Sequence, residues 1–496
     1  MAALWHLLGA SPTRSLPPTV KSDEVYPLHM LDDTKSLRNI VVTWTLRFND
    51  VLDHEKLHAS LAGLLEIGDW GKLGGRLRLK PNGGLEIHVP RPFTTERPPV
   101  SYSHQTFAMA IADHPLAKTL PKASNVPSIQ PGPEEFRVFA ARDDAPQTLD
   151  DFITLDIPQL SLYITTFTDA TLVALSWPHT LMDVMGQQAL LRGWSLVLAG
   201  REAEVPPVLG AREDVVCSAA DAPAEKEEES MLCRMRLGGL AMAGFGLRFA
   251  WDLMWNRVET RTVFLPKAVV EGLRRRARGD LPAQDGKEPF ISEGDVLTAW
   301  AVRAVASSLP LPRPVTVLHA VNARFRLASL IRAPGVFVQN MAVAAFAFLS
   351  PSAATGSLGH IALENRRQLK EQATEGQVLA FLRQLRRQPE GDRDPGFLCG
   401  ESSALLMPFT NWTRADLFRA ADFSPAVVHA GETGESRRNP PGTVEFQHAS
   451  SMQPSPAVRN VVVVLGKDHG DNYWLTGILT PQAWAKIEEE MGGISV

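Results

Sequence analysis

A histidine followed four positions later by an aspartate occurs twice in this chain, as His29 with Asp33 and as His179 with Asp183. An imidazole has an ordinary pKa near neutrality, so it can take a proton from an alcohol or an amine. A carboxylate about one helical turn further on can hold a positively charged partner. This spacing is common by chance, so the surroundings of each copy must decide between them.

Only the second copy lies at a junction between predicted elements. Residues 171–177 form a β-rich run, Pro178 interrupts it, and residues 182–198 follow a helical pattern. Reactive groups are often exposed where a strand of an α/β fold ends. We therefore predict that His179 faces a cleft and acts as a general base, while Asp183 points back into the protein. The alternative is a buried histidine that is hydrogen-bonded at a domain boundary.

The pattern HExxH occurs at His54, Glu55 and His58, where it would place two imidazoles on one helix face with a glutamate as base. A third metal ligand is not evident, and Leu61 stands where the longer metzincin pattern has glycine. The same turns also carry leucines at helical spacing. We expect no metal here and interpret the two histidines as flanking an amphipathic helix.

The composition is that of a folded protein of several domains. The chain has 496 residues, of which 44% are hydrophobic and 21% charged. Its 50 Lys and Arg against 55 Asp and Glu give a net charge of -5, which disfavours nucleic acid as a partner. The absence of GxSxG, P-loop and GxGxxG motifs disfavours serine esterases, NTPases and Rossmann enzymes. The three cysteines show no CxxC spacing, so we expect a reducing, cytoplasmic location.

Strand and helix patterns alternate in both halves of the chain, which predicts an α/β fold with two mixed domains. The composition changes between residues 202 and 258, where prolines, alanines and an acidic run indicate an exposed connector. We therefore predict domains at residues 1–201 and 259–496, with 202–258 as the connecting segment. The Pro-, Ser- and Asp-bearing residues 115–151 are predicted to form a surface loop.

The longest apolar stretch, residues 237–255, approaches the roughly 20 residues that a membrane span needs. Arg248 and Asp252 interrupt it, so we predict a helix packed on the protein and no transmembrane span. Contact with a membrane surface stays open, because aromatic side chains of this stretch could enter the interface. These side chains are Phe245, Phe249, Trp251 and Trp255.

The surroundings of His179 resemble the BAHD family of acyl-CoA-dependent acyltransferases, particularly its fungal, trichothecene-acetyltransferase-like branch. Residues 176–186 are similar to the HxxxDG motif of that family, with Val184 at the glycine position. The DFGWG motif of the family falls at Asp422, Phe423 and the following Ser-Pro-Ala, so only its first two residues agree. Further similarities lie at residues 28–32, 74–77, 321–327, 335–340 (with Gln339 in place of a glycine), 410–418 and 461–479.

The resemblance implies two similar mixed-sheet domains of the chloramphenicol-acetyltransferase type, with an active-site channel between them. His179 would lie mid-channel and, as general base, take the proton of a hydroxyl on a small specialised metabolite. The oxygen would attack the thioester of an acyl-CoA, with acetyl-CoA as the expected donor. Acyl-CoA would then be a co-substrate rather than a permanently bound cofactor, and we expect a monomer.

The same resemblance assigns supporting roles to residues around the histidine. Asp183 would pair with Arg324, or with Arg326 if the register shifts by two, and so fix the histidine loop. Asn340 would lie near the channel. Asp422 would support the structure at a distance from the reacting atoms.

Two groups of residues would bind the substrates. The Thr410 hydroxyl or the Trp412 indole N–H would face the oxyanion or the acceptor. Basic side chains would hold the CoA phosphates, and the candidates are Arg437 with Arg438 and Arg366 with Arg367.

Two other interpretations keep the fold and change the function. HxxxD also marks peptide-condensing domains, which take acyl groups from a carrier protein, although the sequence shows no carrier domain. The chain would instead be an inactive binding relative if Val184 and the Ser-Pro-Ala replacement signalled lost catalysis.

Overall fold

The computed structural model describes residues 16–222, 228–282, 289–388, 397–431, 433–434 and 437–493. Its β-strands are Glu24–Pro27 (β1), Val41–Phe48 (β2), Asp50–Leu52 (β3), Arg76–Leu79 (β4), Leu85–Val89 (β5), Ser101–Thr106 (β6), Ser128–Pro131 (β7), Ser161–Thr166 (β8), Thr171–Pro178 (β9), Glu259–Leu265 (β10), Val315–Asn322 (β11), Ala342–Leu349 (β12), Leu405–Asn411 (β13), Val427–Ala430 (β14), Phe446–Ser451 (β15), Val461–Lys467 (β16) and Tyr473–Leu479 (β17). Its α-helices are Lys35–Arg38 (α1), His54–Glu66 (α2), Leu149–Thr154 (α3), Val184–Leu198 (α4), Val215–Asp221 (α5), Gly239–Trp255 (α6), Lys267–Gly279 (α7), Glu293–Ser307 (α8), Ala328–Ile331 (α9), Pro351–Ala354 (α10), Leu358–Gln372 (α11), Glu375–Arg386 (α12), Leu417–Ala420 (α13) and Pro481–Gly492 (α14).

The N-terminal half is built around a five-stranded sheet in the order β15, β2, β9, β8, β6. Strand β2 is buried along its whole length, in agreement with its mostly apolar and β-branched sequence. Helices α2 and α4 pack their leucines and Trp194 into the core that surrounds Trp44 of this strand. In the antiparallel pair of β2 and β9, Val41 lies opposite Pro178, the residue before His179.

The second large sheet has seven strands in the order β12, β11, β13, β16, β17, β10, β7. Strand β13 pairs in parallel with both β11 and β16, and the remaining neighbours are antiparallel. Helices α7, α8, α11 and α14 form a core with this sheet, in which Trp300 and Trp484 are buried. Helix α12 forms a further core with β12 through Phe381 and Phe346. The mixed α/β class predicted from the sequence is confirmed.

The two large sheets exchange strands between the halves of the chain. Strand β7 from the N-terminal half pairs with β10, whereas β15 from the C-terminal half pairs with β2. Strand β14 likewise pairs with β3. The chain therefore crosses between the two halves more than once, and the division at residues 201 and 259 stays a prediction.

The segment 115–151 is more than the surface loop that its composition predicts. It contains β7 and the start of α3, and it buries Phe136 and Phe139 in a cluster with Phe167. These contacts join residues far apart in the sequence, so local composition carries no signal for them. The loop prediction was wrong here.

The apolar, β-branched run at residues 336–348 forms a strand only from Ala342 onwards. The residues before it turn their carbonyl groups towards Arg324, which donates hydrogen bonds to the carbonyl oxygens of Phe337 and Gln339. An apolar run therefore looked like one continuous strand, although its first part is held in a turn by a distant arginine.

The predicted connector 202–258 contains two helices, α5 and α6. Helix α6 covers 17 residues of the apolar stretch. Within the described ranges, no helix combines the length and apolar character needed to cross a bilayer.

Candidate active site

His179 is the first residue after β9, and its backbone N–H donates to the carbonyl oxygen of Ile40 at 2.8 Å. Its side chain lines a cavity of about 590 Å³. One wall of this cavity comes from the junction of β9 and α4, and the facing wall comes from β11, β12 and β13 of the seven-stranded sheet. The end of β9 therefore places the imidazole where the two large sheets meet.

The electrostatic environment keeps the imidazole of His179 neutral. Burial lowers its pKa below the ordinary value for histidine, because the charged form loses its hydration. The negative charge of Asp183 acts in the opposite direction, but burial is the larger effect. A neutral imidazole has a free lone pair, which is the state that a general base requires.

Asp183 holds the loop of His179 through both carboxylate oxygens. One oxygen accepts hydrogen bonds from the backbone N–H groups of Met185 and Gly186, at 3.0 and 3.2 Å, and so caps the N-terminus of α4. The other oxygen accepts from the backbone N–H of Met341 at 3.0 Å and from Arg324. A single carboxylate thus joins the helix after His179 to the facing sheet.

Arg324 is the arginine that pairs with Asp183, so the structure selects it over Arg326. Its Nη1 lies 2.7 Å from Asp183 Oδ2, and both side chains are buried. Its Nε and Nη2 donate to the carbonyl oxygens of Phe337 and Gln339, and Nη1 also donates to Asn322 Oδ1 at 3.3 Å. This arginine therefore anchors the turn before β12 as well as the histidine loop.

Asn340 contacts the histidine loop directly. Its Nδ2 donates to the carbonyl oxygen of His179 at 2.9 Å and to Asp32 Oδ1 at 2.8 Å. Its backbone N–H also donates to Asp32 Oδ1, at 2.8 Å. Asn340 is one of the cavity-lining residues, as the family resemblance implies.

Asp32 supports the histidine loop through Asn340 and was not among the site residues predicted from the sequence. It is only 1% exposed, and this burial raises its pKa, while the positive charge of Lys72 acts against the rise. Asp32 lies inside the HxxxD copy formed by His29 and Asp33, which is not at a junction between predicted elements. The similarity of residues 28–32 to the family was the one sequence signal that pointed to it.

The wall opposite His179 carries the predicted oxyanion or acceptor residues. Thr410 and Trp412, at the end of β13, line the same cavity. The backbone N–H of Trp412 donates to the carbonyl oxygen of Val464 at 2.9 Å, which fixes the end of the strand against β16. Their hydrogen-bonding roles stay predictions.

Two arginines, Arg326 and Arg414, also line the cavity. The guanidinium carbon of Arg414 lies 3.4 Å from the centre of the Phe325 ring, a cation–π contact. Burial, followed by the nearby charge of Arg326, lowers the pKa of Arg414. Neither arginine forms an ion pair with a carboxylate in the part of the chain that the structure describes. This wall therefore presents positive charge that suits an anionic part of a substrate.

None of the four arginines suggested for the CoA phosphates lines the cavity of His179. Arg437 forms an ion pair with the buried Asp50 at 2.6 Å and lines the same separate pocket as Arg438. Arg366 pairs with Asp295, and Arg367 pairs with acidic residues on its own helix. Arg438 lines a separate polar pocket of about 780 Å³ near the far end of β2.

Two other residues singled out from the sequence lie away from the cavity. His29 is buried, and its Nε2–H donates to the carbonyl oxygen of Gly210 at 2.6 Å. Asp422 is exposed and accepts hydrogen bonds from the N–H and the hydroxyl of Ser424. The backbone N–H of Asp422 donates to Ser195 Oγ, which ties its turn to helix α4. Asp422 thus contacts the helix that follows His179 but not the cavity.

The two histidines of the HExxH tract belong to a cluster of stacked rings. His54 Nδ1 lies 2.7 Å from the Tyr102 hydroxyl, and its ring stacks on His104. His58 stacks on Tyr102. Among the described residues, no three His, Cys, Asp or Glu side chains are grouped to hold a metal ion. The tract is the first part of helix α2, whose leucines are buried as the helical spacing predicts.

Solved structures share the architecture of this chain. TRI101 of F. graminearum, solved in complex with coenzyme A and T-2 mycotoxin, matches with a TM-score of 0.67 at 14% identity, over 95% of this chain and 99% of that chain. The match covers both halves, so the predicted arrangement of two domains of the chloramphenicol-acetyltransferase type is confirmed.

The family is decided by relatives of higher identity. No protein-family model matches the sequence. The O-acetyltransferase PaAT-2 of Phomopsis amygdali is 37% identical over 491 residues, which cover 95% of this chain and 98% of the relative. The acetyltransferase pyiB of Pyricularia grisea is 37% identical over 481 residues, 96% of this chain and 94% of the relative. The chain belongs to the BAHD family of acyl-CoA-dependent acyltransferases. It is therefore an acyltransferase, as the resemblance implies.

The BAHD glycine after the aspartate is replaced by Val184 here, and the structure accommodates the change. Val184 is the first residue of α4, and Asp183 still caps the helix. The residue at which the backbone of α4 closely approaches the facing turn is Gly186, two positions later. A Cβ on Gly186 would lie 2.2 Å from the carbonyl oxygen of Val338. Glycine is thus required at residue 186, where the helix packs on the turn before β12.

Proposed function

We propose that this BAHD acyltransferase transfers an acetyl group from acetyl-CoA to a hydroxyl group of a small specialised metabolite, with His179 as the general base. The observation that carries the proposal is the placement of the half-buried His179 imidazole in a cavity that both large sheets line, where burial lowers its pKa. The printed names of the relatives, O-acetyltransferase and acetyltransferase, support acetyl transfer. The coenzyme A bound to TRI101 supports a CoA thioester as the donor.

The imidazole would first accept a proton from the acceptor hydroxyl and then give it to the CoA sulfur. Nδ1 of His179 is enclosed by the protein, so Nε2 is the ring nitrogen available to a substrate. It would take the proton of the acceptor hydroxyl as the oxygen forms a bond to the thioester carbonyl carbon. The carbon–sulfur bond then breaks, the CoA sulfur receives the proton, and ester and free CoA leave.

The facing wall would stabilise the intermediate. Its oxyanion needs donors that are already in place, and the Thr410 hydroxyl and the Trp412 indole N–H are the candidates at the cavity. Asp183, Arg324 and Asn340 act as positioning residues, because they hold the histidine loop and the turn before β12 in place. No covalent enzyme intermediate is needed.

The contacts around Val184 argue against an inactive binding relative. The cap at Asp183 and the close packing at Gly186 are both retained. The Ser-Pro-Ala replacement forms a 3₁₀ turn, and none of its residues lines the cavity. The two departures from the family motifs therefore leave the proposed machinery intact.

A cytoplasmic location is part of the same proposal. Cys217, Cys233 and Cys399 are free thiols, and Cys233 is exposed. Free exposed thiols suit a reducing compartment, which is also where an acyl-CoA donor is expected.

The direct test combines the purified protein with acetyl-CoA and a panel of polycyclic and polyketide alcohols. Mass spectrometry should show an ester that is heavier than the alcohol by one acetyl group, together with free CoA thiol. Acetyl transfer from a loaded carrier protein, with none from acetyl-CoA, would favour the condensation-type enzyme instead. Absence of both reactions would favour the binding protein.

A further inference from the structure

Helix α6 exposes an apolar stripe along its whole length. Leu240, Leu247, Trp251 and Met254 are 92%, 76%, 63% and 74% exposed. Their spacing of seven, four and three residues places them on one side of an α-helix. None of the 17 residues of this helix is fully buried. Exposed single hydrophobic residues are ordinary, but a continuous stripe of this kind marks an interaction surface.

The other face of α6 already has its contacts within the protein. Phe245 and Phe249 stack on each other and line a pocket of about 360 Å³ beneath the helix. Asp252 pairs with Arg313 at 3.0 Å, and Arg248 donates to Ser402. The helix is therefore fixed to the body of the protein, and its exposed stripe lacks a partner among the described residues. The structure thus divides the four aromatic residues noted in the sequence into an inner pair and an outer pair.

Exposed arginines lie at the two ends of α6. Arg236 comes before the helix and Arg257 after it. The other charges nearby are paired, because Arg234 binds Glu229 at 3.3 Å and Asp252 binds Arg313 at 3.0 Å. The chain as a whole carries a net charge of -5, so the two exposed arginines are a local positive feature. Tryptophans beside an apolar stripe, with arginines at both ends, are typical of helices that lie in a membrane interface.

We propose that α6 docks on an anionic lipid surface, with its axis in the plane of the membrane and its stripe among the headgroups and upper acyl chains. The apolar surface continues beyond the helix onto Leu311, which is 74% exposed and lines a pocket of about 490 Å³ together with Trp251 and Trp255. The length of 17 residues, about 25 Å at 1.5 Å per residue, gives a long line of contact. The arginines at both ends would face the phosphate and carboxylate groups of the lipids.

The docking surface lies beside the active site. The pocket beneath α6 shares Pro408 and Val461 with the cavity of His179. Docking would bring this pocket close to the lipid bilayer, in which an apolar acceptor alcohol concentrates. This consequence rests on the proposed function. The docking itself is tested without any measurement of activity, so the two proposals can fail separately.

The test uses the full-length protein and sedimentation with phosphatidylcholine vesicles, with and without phosphatidylserine. We expect binding to the vesicles that contain phosphatidylserine and weaker binding at high salt. The variant L247N/W251N/M254N should lose at least about tenfold in its partition coefficient. The matched control is V126N/I331N/V428N, which changes three apolar residues elsewhere that are 59%, 56% and 64% exposed, and it should bind like the wild type. Brominated lipids should quench part of the tryptophan fluorescence of the wild type and less of it in the stripe variant.

Three results would overturn the proposal. The first is a wild-type protein that fails to sediment with either kind of vesicle. The second is a stripe variant that binds as well as the control variant. The third is a wild-type dimer in analytical ultracentrifugation that the stripe substitutions convert to a monomer, because the stripe would then bind a second copy of the chain. Thermal melting of the variants should match the wild type, since every changed side chain is exposed.

Discussion

Asp183 Oδ2 and Arg324 Nη1 lie 2.7 Å apart, and this buried ion pair connects the two walls of the cavity that His179 lines. Asp183 precedes α4 in the N-terminal half, whereas Arg324 follows β11 in the seven-stranded sheet. The pair also organises its neighbours, because the carboxylate caps a helix and the guanidinium binds two carbonyl groups of the facing turn. The position of His179 therefore depends on the packing of one half of the protein against the other.

Asp183→Asn should lower both stability and rate. The substitution leaves a buried guanidinium without its counter-charge, which typically costs about 3–5 kcal/mol. Thermal unfolding followed by circular dichroism should show a clearly lower melting temperature. Asp422→Asn is the matched control, because that carboxylate is exposed and away from the cavity. Equal melting temperatures for the wild type and Asp183→Asn would contradict the structural role of the pair.

Asn340→Ala should slow acyl transfer through the histidine loop. It removes the hydrogen bond to the His179 carbonyl and one of the bonds to the buried Asp32, at a cost of about 1–3 kcal/mol in stability. The rate constant kcat should fall while the KM for acetyl-CoA changes little. In a double-mutant cycle with Asp32→Asn, the losses should be less than additive, because both substitutions break the same contact. Strictly additive losses would show that the two residues act separately.

The pH dependence follows from the lowered pKa of His179. Only the neutral imidazole accepts a proton, and burial keeps it neutral to a pH below the ordinary histidine value. The logarithm of kcat/KM should therefore be level at neutral pH and fall on the acid side, with its midpoint below about 6.5. Initial rates in overlapping buffers give this profile. A midpoint above that value would mean that the charged imidazole is favoured, contrary to its burial.

The sequence could single out His179, Asp183 and Asn340, which line one cavity in the structure, because each belongs to a local pattern or a motif tract. Their roles in the reaction stay predictions. The sequence could not choose between Arg324 and Arg326, since the choice depends on how the turn before β12 packs. Asp32 was missed for a similar reason. Its neighbour His29 showed no local context, and only the fold brings Asp32 to Asn340, 308 residues away.

The loop predicted at 115–151 and the outward face of α6 illustrate the same limit. Burial of Phe136 depends on partners elsewhere in the chain. The apolar stretch 237–255 predicted a helix correctly, but its sequence could not show which aromatic side chains turn inwards. In both segments the sequence gives the local composition, but it does not show which distant residues each side chain packs against.

The central claim is that His179, and not the identical motif at His29, supplies the base. His179→Ala removes the imidazole from the cavity, and general-base catalysis typically contributes about 10² to 10⁴ in rate. His29→Ala breaks a buried hydrogen bond to Gly210 and should cost some stability, while the folded fraction should transfer acetyl groups at nearly the wild-type rate. The decisive measurement is kcat for acetyl transfer in both variants, normalised to folded protein. We predict a loss of about 10² or more for His179→Ala alone; if it kept more than about a tenth of the wild-type kcat, the mechanism would be contradicted.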